Sequence, residues 1–306
     1  MTYKEFKTRI EQEIRTILGE KREIKYQTVH KLNGISYEGL SISDGKQGAL
    51  PIFPLETCYQ EFSKGNICMD EICRMLANWN KDDTSKLDGF VCDILRGTDV
   101  RENIYMRVVN YEMNKEWLKD YPHTKKLDLA IIYYVEIVSE EQKFYIAHIN
   151  YELMKRMNLA EEELFNIALK NCQEKQPAVI KSMRDIFPKI LWEMADVLIE
   201  DEEPVGGPDC AMHVLSNIKG SLGAVCMFYD NVLEEFAEQM QDDIYLLPSS
   251  INEMILIPSK GLEPESLRNI VADVNNMVLM EQEILGGNVY LYERGRKNLG
   301  LQMANM

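Results

Sequence analysis

The sequence predicts an α+β protein, in which mixed or antiparallel sheets pack against helices in two or three subdomains. An Asn-Gly pair at 33–34, the strongest short hairpin signal, joins β-rich segments at 23–32 and 35–42. A nearly continuous apolar run at 127–138 is followed at once by a matching run at 144–149, and the two are predicted to pair as central strands. Because strand pairs mix with helices and no long helical crossover separates the strands, a doubly wound α/β sheet is disfavoured.

Helices are predicted wherever apolar residues recur every three or four positions. The first covers 3–19, with Gly19 as its C-terminal cap. The others cover 55–63, 69–79, 82–96, 113–119, 151–157, 160–172, 186–198, 230–240 and 264–279.

Further strands and turns complete the predicted order of elements. The strands cover 100–112, 210–216, 222–228, 243–247, 252–257 and 288–293. Turns are predicted at 44–45, at 219–220 and at Pro248-Ser249-Ser250, because these positions hold Gly, Pro, Ser and Asp. The tail from 295 to 306 is predicted to fray.

Three regions are expected along the chain. The N-terminal helix, the hairpin and the next helices occupy 1–100, a central α+β region occupies 101–205, and a C-terminal α+β region occupies 206–306. The later boundary falls at the clearest loop, 200–209, which contains four successive acidic residues, two prolines and a Gly-Gly pair.

The charge excludes a general nucleic-acid or anionic-membrane binder. The chain has 306 residues, with 50 acidic against 34 basic ones, and its formal charge is -16 with a pI near 4.8. General binders of polyanions carry broad basic surfaces instead. Residues 1–150 are nearly balanced at -3, whereas 151–306 carry -13. The acidic second half leaves open a regulator from a mobile element that mimics an acidic polymer.

The N-terminus and the cysteines predict a cytosolic protein without a metal or cofactor. The chain begins with charged residues rather than an apolar leader, and no run reaches the roughly 18 apolar residues of a membrane span. Seven cysteines without a CxxC pair indicate reduced thiols. Four histidines, no HExxH and no glycine-rich phosphate motif disfavour a metal or nucleotide site. The acidic loop at 200–209 is expected to be solvated rather than to bind a cation.

The first candidate site is a set of polar side chains around the 107–128 segment. Its members are Arg107, Asn110, Glu112, Asn114, His123 and Asp128. Arg107, His123 and Asp128 together would form a pocket for an anion or a small polar ligand. The structural alternative is a polar network that fixes this segment, with Asn110 as an ordinary N-cap and Asp128 paired or exposed.

The second candidate site is the predicted loop at 248–250 with the residues after it. Ser249, Ser250, Asn252 and Glu253 could present hydroxyl and backbone N–H groups to a ligand or partner. A nucleophilic serine would need a nearby base, and no GxSxG elbow is present. The structural alternative is a tight turn whose serines satisfy the backbone. A Cys210–His213 dyad is disfavoured, because a spacing of three places the two on opposite faces of a strand.

Several stretches together resemble a known family. They are Lys31-Leu-Asn-Gly-Ile-Ser-Tyr-Glu-Gly-Leu-Ser-Ile with Pro54-Leu-Glu-Thr-Cys-Tyr, Arg107-Val-Val-Asn-Tyr-Glu-Met-Asn-Lys-Glu, Pro122-His-Thr-Lys-Lys-Leu-Asp-Leu-Ala and Leu247-Pro-Ser-Ser-Ile-Asn-Glu. Over nearly the whole chain, the sequence resembles a domain-of-unknown-function family common in anaerobic Gram-positive gut bacteria. Its second half is similar, more distantly, to another uncharacterised bacterial family.

The resemblance implies a bacterial, cytosolic origin, and it carries no known activity, substrate or catalytic residue. Members of the family often have a histidine after the Pro-Ser-Ser-hydrophobic run, where this chain has Asn252. The resemblance therefore implies no acid–base role at this position.

The function predicted from the sequence is a non-catalytic binding or interaction module. The absence of a catalytic signature, of a cofactor motif and of a histidine-rich site favours it. Its partner would be a protein or a small molecule, and a homo-oligomer is compatible with it. The alternative is an enzyme, such as a hydrolase, with an unfamiliar site; convergence of Arg107, His123 and Asp128 in one deep pocket would favour the enzyme.

Overall fold

The computed structural model describes residues 1–20, 23–43, 52–79, 100–137, 145–183 and 212–302. The chain divides into two compact units, one formed by 1–98 with 137–145 and the other by 99–136 with 146–306. The described residues do not include the predicted turn at 44–45, the predicted helices at 82–96 and 186–198, or the acidic loop at 200–209.

The first unit combines three helices with an antiparallel hairpin. Its elements are α1 (Tyr3–Leu18), β1 (Glu23–His30), β2 (Ser36–Ser43), α2 (Leu55–Ser63) and α3 (Met69–Trp79). A capping box of Thr2 and Glu5 begins α1, and Gly19, at a φ of +96°, ends it. The side chains buried between these elements form one apolar core: Phe6, Ile10, Ile14, Leu40, Ile42, Phe53, Leu55, Cys58, Ile72 and Leu76.

The second unit contains a four-stranded sheet, except for its residues Ile137 and Tyr145, which belong to the first unit. Its strands are β3 (Ile104–Asn110), β4 (His123–Lys126), β5 (Leu129–Ile137) and β6 (Tyr145–His148). Strand β5 is central, since it pairs antiparallel with β3 and β4 and also pairs with β6. Helices α4 (Tyr151–Arg156) and α5 (Glu161–Lys175) follow, and α5 packs along β3.

A six-stranded sheet completes the second unit. Its elements, with two helices, are β7 (Ala178–Ser182), β8 (His213–Asn217), α6 (Val232–Met240), β9 (Ile244–Ser250), β10 (Glu253–Pro258), α7 (Pro264–Met277), β11 (Tyr290–Glu293) and β12 (Asn298–Leu301). The strand order is β12-β11-β9-β10-β8-β7, and every neighbouring pair is antiparallel. Leu267 and Val271 of α7 pack against Tyr245 and Leu247 of β9. The α+β prediction is confirmed.

The prediction of a strand at 222–228 is wrong, because this segment forms a 3-10 helix (Gly223–Phe228). A continuous apolar run does not distinguish a buried strand from a buried helix. Asn252 holds the start of the helix, since its Oδ1 accepts a 2.9 Å hydrogen bond from the N–H of Leu222. Its carbonyl oxygen accepts one from the N–H of Gly223, and Leu222 takes a left-handed φ of +54°.

Three other local predictions are also wrong. The predicted helix at 113–119 is reduced to turns and a 3-10 helix (Trp117–Asp120). Pro248, Ser249 and Ser250 belong to β9, and the turn lies at 251–252 instead. Part of the predicted frayed tail forms β12. Within the described ranges, no helix has both the length and the apolar composition needed to cross a bilayer.

Candidate functional site

Strand pairing places two of the predicted site residues on one face of the four-stranded sheet. Arg107 of β3 lies opposite Ile132 of β5, and Ile132 lies opposite His123 of β4. Directly opposed residues of an antiparallel pair project to the same side of a sheet. Arg107 and His123 therefore share a face, with Ile132 between them.

Arg107 is a buried cation without a counter-charge. Only 6% of its surface is exposed, and its Nε makes no hydrogen bond. No carboxylate among the described residues forms an ion pair with it. Burial lowers the pKa of Arg107 from 12.5 to about 10, so the guanidinium stays charged at neutral pH. Burying an unpaired charge costs several kcal/mol, so a buried arginine without an ion-pair partner in the described structure is unusual.

His148 lies at the end of β6, which pairs with β5 as β3 does. Its Nε2 is buried and has no hydrogen-bond partner among the residues that the structure describes. Burial, followed by the positive charge of Arg107, lowers the pKa of His148 to about 4. The imidazole is therefore neutral at pH 7, and its Nε2 can donate or accept a hydrogen bond according to its tautomer.

Two aromatic rings pack against His148. Trp117 and Tyr121 stack with their ring centroids 3.5 Å apart and their planes 6° from parallel. Each ring is nearly perpendicular to the ring of His148, with centroid distances of 5.4 Å for Trp117 and 6.4 Å for Tyr121. Both side chains are half-buried. Tyr134 lies on the same face as Arg107 and interacts with its charge. We call Arg107, Tyr134, His148, Trp117 and Tyr121 the Arg107 cluster.

Asp128 and Asn110 are held elsewhere, between the two sheets of the second unit. The Asp128 carboxylate accepts hydrogen bonds of 2.8 Å from Asn288 Nδ2 and from the Tyr290 hydroxyl. Asn110 Oδ1 accepts one from the N–H of Met113, but in a turn rather than at the start of the predicted helix, and its Nδ2 donates one to the carbonyl of Leu285. The structure therefore does not bring Asp128 to Arg107, and the Arg107 cluster contains no carboxylate that could act as a general base.

The remaining predicted site residues, in the β9–β10 hairpin, form hydrogen bonds with one another. The Ser249 hydroxyl donates to Glu253 Oε1 at 3.0 Å, and the Ser250 Oγ accepts from the N–H of Asn252 at 3.0 Å. Asn252 itself fixes the 3-10 helix at Gly223–Phe228. These contacts are those of a structural turn and leave no group directed at a ligand.

Sequence reasoning identified Arg107 but missed the residues around it. The alternation of β3 and β5 could have placed Tyr134 on the face of Arg107, because both strands were recognised. His148 could have been found as the penultimate residue of the predicted partner strand at 144–149. No sequence signal places Trp117 and Tyr121 there, because the segment that carries them is irregular. In the described part of the chain, no group of three or more His, Cys, Asp or Glu side chains is arranged to hold a metal ion.

Comparisons with known proteins identify a family but no characterised relative. No curated protein and no solved structure matches the chain. The model of a family of unknown function, DUF5688, matches residues 3–294, which is nearly the whole sequence. The resemblance seen in the hairpin, at 107–116 and at 247–253 is thus confirmed at the level of the family, and the chain belongs to DUF5688.

Proposed function

We propose that the protein is a non-catalytic binding module, and that it binds a small anionic ligand at the Arg107 cluster. The observation that supports this most directly is the buried guanidinium of Arg107, which has no carboxylate partner among the described residues. Buried charges in proteins are normally paired. An anion from solution would supply the missing counter-charge and would accept a hydrogen bond from Nε.

The cluster supports binding better than catalysis. His148 is neutral at pH 7 and lies beside a cation rather than beside a carboxylate, so it lacks the partner that orients a histidine base in a hydrolytic triad. The carboxylate of Asp128, the acid proposed from the sequence, accepts hydrogen bonds from Asn288 and Tyr290 instead.

A bacterial cytosolic location is part of the same proposal. The five described cysteines, Cys58, Cys68, Cys73, Cys172 and Cys226, are free thiols, which supports a reducing compartment. A small-molecule partner is favoured over a protein partner by the burial of Arg107. Whether the chain forms a homo-oligomer stays a prediction.

Thermal unfolding of the full chain in a panel of anions at constant ionic strength tests the proposal. At least one small anion should raise Tm with increasing concentration, because a ligand that binds only the folded state stabilises it. Arg107→Met should remove that increase, and Lys126→Met, which deletes an exposed cation of β4, should retain it. General salt effects shift all three proteins alike. An increase of equal size in Arg107→Met would refute the proposal.

A further inference from the structure

We propose that the ligand of the Arg107 cluster is a small organic monocarboxylate, held by hydrogen bonds to Arg107 Nε and His148 Nε2. This inference rests on the proposed function and adds the ligand class and a second binding residue. Both nitrogens are buried and lack partners within the described structure. Their side chains come from β3 and β6, two strands that both pair with β5. The N–H of Ile149 donates to the carbonyl oxygen of Tyr133 at 2.9 Å, one residue along β5 from Ile132, the residue opposite Arg107.

The charge of the cluster favours a monoanion. Arg107 is the charged member of the Arg107 cluster at neutral pH, because burial lowers the pKa of His148 to about 4 and raises the pKa of the Tyr134 phenol. One bound negative charge would bring the buried site to neutrality. A dianion such as sulfate would leave a net negative charge in a region from which water is largely excluded, and a buried unpaired charge is strongly unfavourable.

The shape of the two donors favours a carboxylate. A carboxylate has two oxygens, each able to accept a hydrogen bond, and its charge-assisted bonds to guanidinium N–H groups are strong. With the proton of neutral His148 on Nε2, each of the two protein donors meets one oxygen. His148 thus contributes a neutral donor, which completes the hydrogen bonding without adding a second positive charge.

The surroundings favour an organic ligand over a simple inorganic ion. Ile132 lies on the same face between Arg107 and His123. Tyr134 is on the face of Arg107, and the rings of Trp117 and Tyr121 pack against the ring of His148. These apolar surfaces suit a short hydrocarbon group attached to the carboxylate.

Calorimetric titration of the full chain at pH 8 tests the inference, with acetate, butyrate and benzoate as monocarboxylate probes and sulfate and phosphate as dianions. We expect at least one carboxylate to bind with one site per chain and more tightly than either dianion. His148→Phe should weaken that binding by about tenfold or more, as expected for loss of a hydrogen bond to a charged group. His30→Phe, which replaces an exposed histidine of β1, should leave it unchanged.

The outcomes separate the inference from the function on which it rests. Binding of sulfate or phosphate but of no carboxylate, dependent on Arg107, would overturn the monocarboxylate and leave the anion-binding module standing. Unchanged carboxylate affinity in His148→Phe would overturn the role of His148. Absence of binding by every anion would overturn both proposals.

A second readout locates the ligand independently of folding defects. The chain has three tryptophans, Trp79, Trp117 and Trp192. In a Trp79→Phe, Trp192→Phe variant, the emission of Trp117 should change as the carboxylate binds and with the same midpoint as the calorimetric titration. Carboxylate binding without any change in this emission would place the ligand elsewhere and contradict the inference.

Discussion

At the scale of single residues, the cost of Arg107 can be measured. Its pKa is lowered from 12.5 to about 10 by burial, and at 1.36 kcal/mol per pKa unit this corresponds to about 3 kcal/mol of destabilisation at neutral pH. We therefore expect Arg107→Met to raise the free energy of unfolding by about 1–4 kcal/mol in denaturant titrations without ligand, as apolar replacements of buried charges do. Lys126→Met, on an exposed cation, should change it by less than about 0.5 kcal/mol. A loss of stability in Arg107→Met would show that the guanidinium has a structural role.

His148 makes stability depend on pH in a defined range. Its pKa is about 4 in the folded protein and 6.5 in an ordinary histidine. Between these values the unfolded state binds a proton that the folded state does not. The stability associated with neutral His148 is therefore fully present above pH 6.5 and is lost as the pH falls towards 4, by about 3 kcal/mol.

The measurement is the free energy of unfolding at several pH values between 4 and 7. Carboxylates titrate in the same range, so the unmodified chain is compared with His148→Phe, in which this part of the dependence should be absent. His30→Phe serves as the matched control for an exposed histidine. Parallel pH profiles of the unmodified chain and His148→Phe would be inconsistent with a buried, neutral imidazole.

At the scale of elements, α5 closes the free edge of β3 with side chains rather than with another strand. Asn171 Nδ2 donates to the carbonyl oxygens of Ile104 and Arg101 at 2.9 and 2.7 Å. The Sγ of Cys172 accepts a hydrogen bond from the N–H of Met106 at 3.3 Å. Unpaired strand edges favour association with other chains. These contacts give hydrogen-bond partners to backbone groups along the edge of β3, the strand that carries Arg107.

Replacing Asn171 should therefore destabilise the fold. Asn171→Leu removes the donor from two carbonyl groups, and an unsatisfied buried carbonyl costs about 1–3 kcal/mol. Denaturant unfolding should show a loss of this size, whereas Asn166→Leu, at an exposed position of the same helix, should be nearly neutral. Equal stability of the two variants would mean that water replaces the side chain at the edge.

The elements also show which parts of the fold the sequence determines locally. The hairpin at 33–34 was predictable because Asn33 and Gly34 both take left-handed φ angles that few other residues favour. Strand β4 was missed because its turn to β5 is formed by Leu127 at a φ of +58° and by Asp128. Leucine gives no turn signal. Distant residues, Asn288 and Tyr290, hold the Asp128 carboxylate and thereby stabilise this turn.

The candidate site was predictable to a similar extent. Arg107 stands out in sequence, because a charged residue interrupts an apolar strand. The position of His148 on the same sheet as Arg107 depends on the pairing of β6 with β5. The position of Trp117 depends on a 3-10 helix that replaces the predicted helix. Asp128 was grouped with Arg107 by proximity along the chain, whereas its partners lie about 160 residues later, as the separations in its two hydrogen bonds show.

At the scale of the whole molecule, net charge sets what the surface can bind. With a formal charge of -16, the chain should repel other polyanions. We expect no retardation of a random-sequence DNA duplex in gel-shift experiments at about 0.15 M salt, where a basic control protein shifts it fully. Salt-sensitive binding of the duplex would show a local basic surface strong enough to overcome the net charge.

The unpaired charge of Arg107 also leads to a prediction about which residues vary together in the family. A lineage that no longer meets the ligand gains stability from almost any apolar replacement at this position, so drift should remove the arginine early. We expect DUF5688 members that retain an arginine here to retain a histidine at the position of His148 as well, and members that have lost one to have lost both. An alignment of the family would then distinguish the species that encounter the ligand from those that do not.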